Sequence, residues 1–302
     1  MSDKEHTQST VSVIAKGLRL VAACASLAAA LVASAGLAAE APKRPVDGIM
    51  DNSFLVEEAY NQEAGVVQHI FNGVHSVNRL NGSDDHAWNM SFTQEWPVPD
   101  MTHQFSYTVP YNLTETGGQS ENGVADVMLN YRFQAYFDEK SLTGFAPRFS
   151  LVLPTGDADQ SFGTDTLGYQ WNLPFSTAVG DRWFVHANAG LTFLPEAGPP
   201  PREDLFNYNL GASAIYCVSD RLHLMLEWVG YWNDEVGGSR QFAALISPGV
   251  RYAFNFANDS QLVVGLGVPV GVTHAAPDIG VFLYVSFEHI LWRVKPPPQN
   301  QP

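Results

Sequence analysis

The chain has 302 residues, with 16 Lys and Arg against 31 Asp and Glu, for a formal net charge of −15. Such an acidic chain repels phosphate backbones, which excludes nucleic acid as a partner. Charged residues make up only 16% and aromatic residues reach 12%, a balance that excludes disorder. Two cysteines are too few for a disulfide framework or a thiolate metal site.

The first 39 residues have the pattern of an export signal. Lys16 and Arg19 precede an uncharged stretch that is rich in Ala, Leu and Val and ends in small residues, the order found in cleavable signal peptides. One alternative is an uncleaved membrane anchor. Another is a lipoprotein, since Val21-Ala22-Ala23-Cys24 resembles a lipobox, although the apolar run follows that cysteine. We predict that residues 1–39 are a signal peptide that is cleaved on export.

Residues 40–63 follow the signal and show no strand periodicity. The acidic stretch from Glu57 to Glu63 is either a short, solvated periplasmic helix or a plug that enters the fold that follows. The residues that would carry a plug are Glu57, Glu58, Asn61 and Gln62. Residues 40–63 are therefore expected to form a periplasmic N-terminal segment or a plug, and both alternatives stay open at this point.

Apolar and polar residues then alternate with a period of two, which is typical of strands with one apolar face. The clearest run interleaves apolar Leu222, Leu224, Leu226 and Trp228 with Arg221, His223, Met225 and Glu227. The pattern predicts strands at about 64–75, 86–97, 102–112, 123–137, 144–154, 167–179, 182–194, 205–218, 221–233, 241–257, 260–272 and 279–288. All of them exceed the five or six residues usual in soluble proteins, and they suit tilted strands that cross a bilayer.

The connections between the later strands alternate in length. Gly180-Asp181, Ser219-Asp220 and Asn258-Asp259 are tight turns, whereas the connections at 195–204, 234–240 and 273–278 are longer. Short turns and longer loops at opposite ends, together with an even number of strands, are properties of outer-membrane barrels. We therefore predict an all-β fold, a transmembrane antiparallel up-and-down β-barrel of about 12 strands over residues 64–288, with both termini in the periplasm.

The alternative fold is a soluble β-sandwich or lipocalin-like barrel with the aromatic residues in its core. Such cores seldom need so many long strands with one uniformly apolar face, which favours the membrane barrel. After the last strand, residues 289–302 include Pro296-Pro297-Pro298. This composition predicts a disordered, Pro-rich C-terminal tail.

Three stretches of the chain resemble a known family. They run from Asp51 to His69, from Gly123 to Val127, and from Pro147 to Asp157. Together they are similar to a bacterial outer-membrane family that is named for the meta-pathway of phenol degradation and regarded as a transporter family. The resemblance covers about residues 51–288. It implies a β-barrel that moves small, hydrophobic or aromatic compounds across the outer membrane, and it supplies no catalytic or ligand residues.

Polar residues on the face opposite the apolar one form the candidate functional set. In a membrane barrel this face lines the lumen, where charged side chains filter solutes. The candidates are Asp126, Asn130, Arg132, Arg148, Asn172, Arg182, Asn188, Glu227 and Arg251. About twelve strands are intermediate between a filled barrel and a wide pore, so we expect passive conduction of small solutes through a narrow lumen. The alternative is a lumen closed by an Arg–carboxylate network, in a barrel that acts as a scaffold or binds partners at its surface.

The sequence contains none of the usual motifs for metal ligation, nucleotide binding or nucleophilic catalysis. We predict no enzymatic activity, no metal and no cofactor. A third alternative is a membrane-embedded hydrolase, which needs only a spatial Ser–His pair. The candidate pairs are His103 with Ser106 and His186 with Ser176. The expected location is the bacterial outer membrane, with lipid and lipopolysaccharide, the barrel-assembly machinery and a small-molecule solute as partners.

Overall fold

The structure is a computed structural model that describes residues 53–80 and 83–292. The predicted signal peptide, residues 40–52 and residues 293–302 of the Pro-rich tail lie outside these ranges. Within the described ranges the chain forms β-strands joined by turns and loops. No helix in this part of the chain has the length and hydropathy of a membrane span.

Seventeen β segments join into twelve antiparallel strands of one sheet. The first three strands are β1 (Val66–Leu80), β2 (Ser83–Pro97) and β3 (His103–Thr116). The next three strands are built from two or three segments each: β4 (Gln119–Val124, Val127–Phe133 and Tyr136–Asp138), β5 (Thr143–Phe145 and Arg148–Leu153) and β6 (Gly168–Asn172 and Phe175–Val179). The remaining strands are β7 (Trp183–Ala197), β8 (Glu203–Cys217), β9 (Leu222–Asn233), β10 (Gln241–Asn255), β11 (Gln261–Gly267 and Val270–Gly271) and β12 (Ile279–Ile290).

The sheet closes on itself, because β1 pairs with both β2 and β12. Closure removes the free edges that an open sheet would leave. The predicted all-β class, the count of twelve strands and the antiparallel barrel are confirmed. The first hairpin is longer than predicted: residues 76–80 pair with 83–87, although their sequence does not alternate.

Prolines account for several breaks within strands. Pro147, Pro174 and Pro269 fall in the interruptions of β5, β6 and β11, because proline has no N–H for the ladder. Hydrogen bonds across these breaks keep the strands together: Phe133 N donates to Pro147 O at 3.0 Å, and Ala146 N donates to Pro174 O at 3.2 Å. The barrel wall is therefore continuous despite the short segments.

The register assigns every second side chain to the outside and the others to the lumen. Large apolar side chains are exposed on the outer face, as lipid contact requires; among them are Phe71, Leu129, Leu210, Leu226, Phe254 and Leu283. The lumen face carries many polar side chains, all buried in this structure, including Gln68, Gln104, Ser150, Ser213, Ser247 and Ser286. The barrel is thus apolar outside and largely polar inside.

The two ends of the barrel differ. Short connections at 98–102, 139–142, 180–182, 218–221 and 256–260 form what we call the turn end, and the opposite loop end includes residues 154–167, 198–202, 234–240 and 272–278. The first and last strands meet at the turn end, where Gly65 O accepts hydrogen bonds from Leu291 N (2.8 Å) and Trp292 N (3.3 Å). Gly65 has a φ of +82°, and a Cβ there would meet the Trp292 carbonyl, so this junction requires glycine.

Candidate functional site

Residues 53–63, which we call the lumen segment, lie inside the barrel. At one end of the segment, Ser53 Oγ is 2.6 Å from Ser213 Oγ on β8. At the other end, Gln62 N donates to Gln104 Oε1 on β3 at 2.7 Å. The segment has no helix or strand, so its backbone polar groups are available to the wall. It crosses the lumen from β8 to β3.

Wall side chains bind the backbone N–H groups of the lumen segment. Glu227 Oε1 on β9 accepts from both Leu55 N (2.8 Å) and Val56 N (3.1 Å). Ser176 Oγ on β6 accepts from Ala59 N at 2.8 Å. A buried backbone N–H without a partner is costly, and these acceptors remove that cost at several points along the path. The wall is therefore complementary to an extended chain.

Glu57 is the main electrostatic anchor of the segment. Arg148 Nε on β5 lies 2.9 Å from each carboxylate oxygen, and Asn172 Nδ2 on β6 donates to Oε2 at 2.6 Å. Arg132 Nη1 on β4 is 3.4 Å from Oε1. The Glu57 side chain keeps 21% of its surface exposed. Three adjacent strands thus supply three donors to one carboxylate.

Arg132 is held almost entirely by the lumen segment. Its guanidinium donates to Asn61 Oδ1 (2.8 Å), Tyr60 O (2.6 Å), Glu58 O (3.2 Å) and Glu57 Oε1 (3.4 Å). The side chain is only 4% exposed, so it has no alternative access to bulk water in this conformation. Since a buried charge without partners is strongly destabilising, Arg132 ties the stability of the wall to the presence of the segment.

The two adjacent glutamates of the segment have opposite pKa shifts. Burial alone would raise the pKa of Glu57, but the charges of Arg148 and Arg132 and the Asn172 hydrogen bond outweigh it and lower the pKa. For Glu58, burial dominates and raises the pKa to about 8, although Arg132 opposes the shift. Glu57 is therefore an anion at neutral pH, whereas Glu58 binds a proton over much of the neutral range.

Phe54 fills an aromatic slot in the lumen wall. Its ring stacks on Phe282 with centroids 5.1 Å apart and planes at 12°, and it lies 5.4 Å from the ring of Tyr284. Gly249 and Gly265 leave room for the ring: a Cβ at Gly249 would lie 2.8 Å from Phe54 Cε2, and one at Gly265 would come even closer to the ring. Phe54 is 8% exposed and belongs to the largest apolar cluster. The core of the molecule thus lies inside the barrel, around the segment.

Most of the polar residues predicted to line the lumen do face it. Asn130, Arg132, Arg148 and Asn172 are brought together around Glu57, with Arg148 Nη1 donating to Asn130 Oδ1 at 3.1 Å. The others on this face are all buried: Glu227, which binds the segment backbone; Asn188; and Arg251, whose Nε donates to His223 Nδ1 at 3.1 Å.

Two residues of the predicted set lie elsewhere. Arg182 is exposed in the turn before β7, where its Nη1 lies 3.4 Å from the hydroxyl of the outward-facing Tyr216. Asp126 lies in the break of β4 and accepts hydrogen bonds from Gly156 N (2.9 Å), Thr164 N (2.9 Å) and Thr164 Oγ1 (2.7 Å). Arg182 is therefore a rim residue, and Asp126 fastens the loop of residues 154–167.

The two candidate Ser–His pairs differ in geometry. His103 and Ser106 lie three residues apart on one strand and so face opposite sides of the wall. Ser176 Oγ is 2.7 Å from His186 Nδ1, but the pair is fully buried beneath the lumen segment. His186 Nε2 has no hydrogen-bond partner in the described part of the chain, so the acid that would complete a catalytic triad is missing there. In the same residues, no group of three or more His, Cys, Asp or Glu side chains is arranged to hold a metal ion.

Several residues of the site were not predicted. Phe54, Ser53 and Gln104 contribute to the docking of the segment, and none of them carries a motif. One signal was present in the sequence: Gly265 and Gly267 alternate on the lumen face of β11, and successive glycines on one face mark a place where another group approaches closely. That pattern indicates a slot but does not identify its occupant.

The family model described as "Putative MetA-pathway of phenol degradation" matches residues 60–287. The chain belongs to this family. The resemblance seen in the sequence is confirmed, and the match spans nearly the whole barrel together with the end of the lumen segment. A comparison with curated proteins found no match.

Solved structures similar to this member of the phenol-degradation family include an outer membrane channel, a porin and the translocator domain of an autotransporter. An outer membrane channel from Pseudomonas putida F1 has a TM-score of 0.57 at 15% identity, covering 80% of this chain and 99% of that one. The NanC porin has a TM-score of 0.47 at 9% identity, covering 73% and 98%. The translocator domain of the autotransporter NalP from Neisseria meningitidis reaches 0.44 at 10% identity, covering 76% and 89%. At these identities the likeness concerns the fold alone. The predicted location is confirmed: this is a bacterial outer-membrane protein.

Proposed function

We propose that the barrel is a channel that passively conducts small solutes, including hydrophobic or aromatic compounds, when the lumen segment moves aside. The solute gradient supplies the driving force. The turn end faces the periplasm, lipid and lipopolysaccharide surround the apolar outer face, and the barrel-assembly machinery inserts the chain. The protein has no enzymatic activity in this proposal.

The pairing of the lumen arginines carries the proposal. Arg132 and Arg148 form their ion pairs with Glu57 of the segment. A closed scaffold would be expected to join wall to wall, so that removing the segment would gain nothing. Here the charges join the wall to a segment that belongs to none of the barrel strands, which supports a gate. The lumen behind it is largely polar, as an aqueous path requires.

A reversible lock tests the proposal. Ser53→Cys and Ser213→Cys place two thiols where the hydroxyl oxygens are 2.6 Å apart, a separation suited to a disulfide. The mature chain should carry Cys217→Ser so that no other thiol interferes. In a planar bilayer we expect no conductance steps from the oxidised protein and discrete steps after dithiothreitol is added.

The outcomes separate the alternatives. Folded protein that stays silent in both redox states would refute the channel and favour the closed scaffold. Steps of equal size and frequency in both states would show a path that bypasses the segment. Ester hydrolysis by the reduced protein that is lost in Ser176→Ala would instead support the hydrolase.

A further inference from the structure

Two positive charges lie side by side on adjacent strands of the lumen wall. Arg132 on β4 and Arg148 on β5 are directly opposed partners in the strand register, and Asn172 on β6 is the partner of Arg148 on its other side. Like charges placed directly opposite in an antiparallel pair destabilise the sheet. The wall therefore needs an anion at this place, and in the structure the carboxylate of Glu57 occupies it.

We propose that Arg132, Arg148 and Asn172 form a carboxylate-binding site of the lumen, that Glu57 fills it as an internal ligand, and that a small carboxylate solute takes the place of Glu57 when the segment leaves. This inference rests on the proposed function in one respect, namely that the segment can be displaced. It adds the chemical class of a solute and the residues that recognise it.

The Arg148 part of the site keeps its shape without Glu57. Arg148 donates through Nη1 to Asn130 Oδ1 (3.1 Å) and to Ser150 Oγ, so wall residues hold its guanidinium in place. Its Nε, which now lies 2.9 Å from both Glu57 oxygens, then points at empty space, as does the Asn172 amide. Donors fixed in advance bind an anion at a lower entropic cost than mobile ones.

The balance of charge favours an anion over a cation. When the segment leaves, Arg132 loses the partners from residues 57–61 that now surround it. Glu95 on β2 is the acidic wall residue that acts on Arg132 electrostatically, and Gln104 Nε2 donates to it at 2.8 Å. Even with Glu95 ionised, the two guanidinium groups leave an excess of positive charge. An incoming carboxylate would neutralise it.

Benzoate is a suitable probe for this site. It offers two carboxylate oxygens like those of Glu57, which Arg148 and Asn172 contact in the structure. Benzamide has the same shape without the charge and is the matched control ligand. Titration calorimetry on the folded mature chain in detergent measures binding without requiring any current.

In Glu57→Gln the internal ligand loses its charge, so a larger fraction of the protein has a vacant site. Because apparent affinity scales with that fraction, we expect Glu57→Gln to bind benzoate at least about tenfold more tightly than the unmodified chain. Benzamide should bind to neither. Adding Arg148→Gln to Glu57→Gln should abolish benzoate binding. The matched control is Arg240→Gln, which removes an exposed arginine paired with Asp234 on the loop end and should change nothing.

Heat-modifiable mobility in SDS gels checks that each variant is a folded barrel. If Arg148→Gln fails this check, Asn172→Leu removes the 2.6 Å donor without changing charge and should weaken benzoate binding. Equal affinity of Glu57→Gln and the unmodified chain, or equal binding of benzamide and benzoate, would overturn the carboxylate site. A conducting channel without benzoate binding refutes this inference alone, whereas benzoate binding by a protein that never conducts refutes the channel alone.

Discussion

Replacing Phe54 with alanine should release the lumen segment without unfolding the barrel. The ring is 8% exposed and packed between Phe282, Tyr284 and the backbones of two glycines. Removing a buried phenylalanine side chain costs about 3–5 kcal/mol, and each 1.4 kcal/mol is a factor of about ten in an equilibrium constant. Docking should weaken by at least about a hundredfold. The strand hydrogen bonds are untouched, so the variant should still migrate as a folded barrel in a heat-modifiability gel.

Cys217 reports this release. It is the sole cysteine in residues 40–302, it is partly buried, and it packs against the cluster around Phe54. A polar maleimide should label it more than about tenfold faster in Phe54→Ala. The matched control is Phe71→Ala, since Phe71 is 56% exposed on the outer face. Equal labelling rates in Phe54→Ala and Phe71→Ala would show that the ring does not hold the segment.

Three further changes test separate parts of the site. Gly265→Ala puts a methyl group against the Phe54 ring, and its effect on Cys217 labelling should not add to that of Phe54→Ala. The pKa of Glu58 is raised to about 8, so its contribution to docking is complete below its ordinary value of 4.5 and is lost as the pH rises through 8. The ratio of Cys217 labelling rates between the unmodified chain and Glu58→Gln should therefore rise from pH 6 to pH 8.5, and a constant ratio would contradict the shift. Asp126→Asn weakens three hydrogen bonds to residues 156–164, each worth about 1.5–3 kcal/mol when the acceptor is charged. Proteolysis should then cut that loop faster while the barrel stays intact.

The barrel could be predicted from the sequence because the pattern that specifies each strand lies within that strand. A period of two repeats in almost every strand, and one face of each strand must meet lipid, so register and burial follow from the pattern. The predicted orientation of a side chain toward the lumen differs from the structure at two residues, each where a strand ends or breaks. Arg182 has the parity of a lumen residue, but β7 starts at Trp183, so Arg182 belongs to a turn. Asp126 has the same parity and falls in a break of β4.

The docking of residues 53–63 could not be predicted in the same way. Its partners are more than a hundred residues away in several cases, as for Leu55 with Glu227 and Ala59 with Ser176. These bonds use backbone N–H groups, which every residue except proline has, so no composition or spacing marks them. The acidic character of the stretch was compatible with a plug and equally with a solvated periplasmic helix. Whether the segment docks in the lumen or stays in solvent depends on the three-dimensional fit between the segment and the barrel wall.

The junction at Gly65 determines how a displaced lumen segment returns to the barrel. Because Gly65 joins the lumen segment to β1 and accepts hydrogen bonds from Leu291 and Trp292 at the closing seam, a displaced segment stays tethered to the mouth of the barrel. A short tether keeps its free end at a local concentration on the order of millimolar. Return of the segment is then a unimolecular step that does not depend on how much protein the membrane holds. A solute that competes for the same lumen sites must reach a comparable concentration. The tether therefore sets a solute concentration below which the segment returns to the lumen.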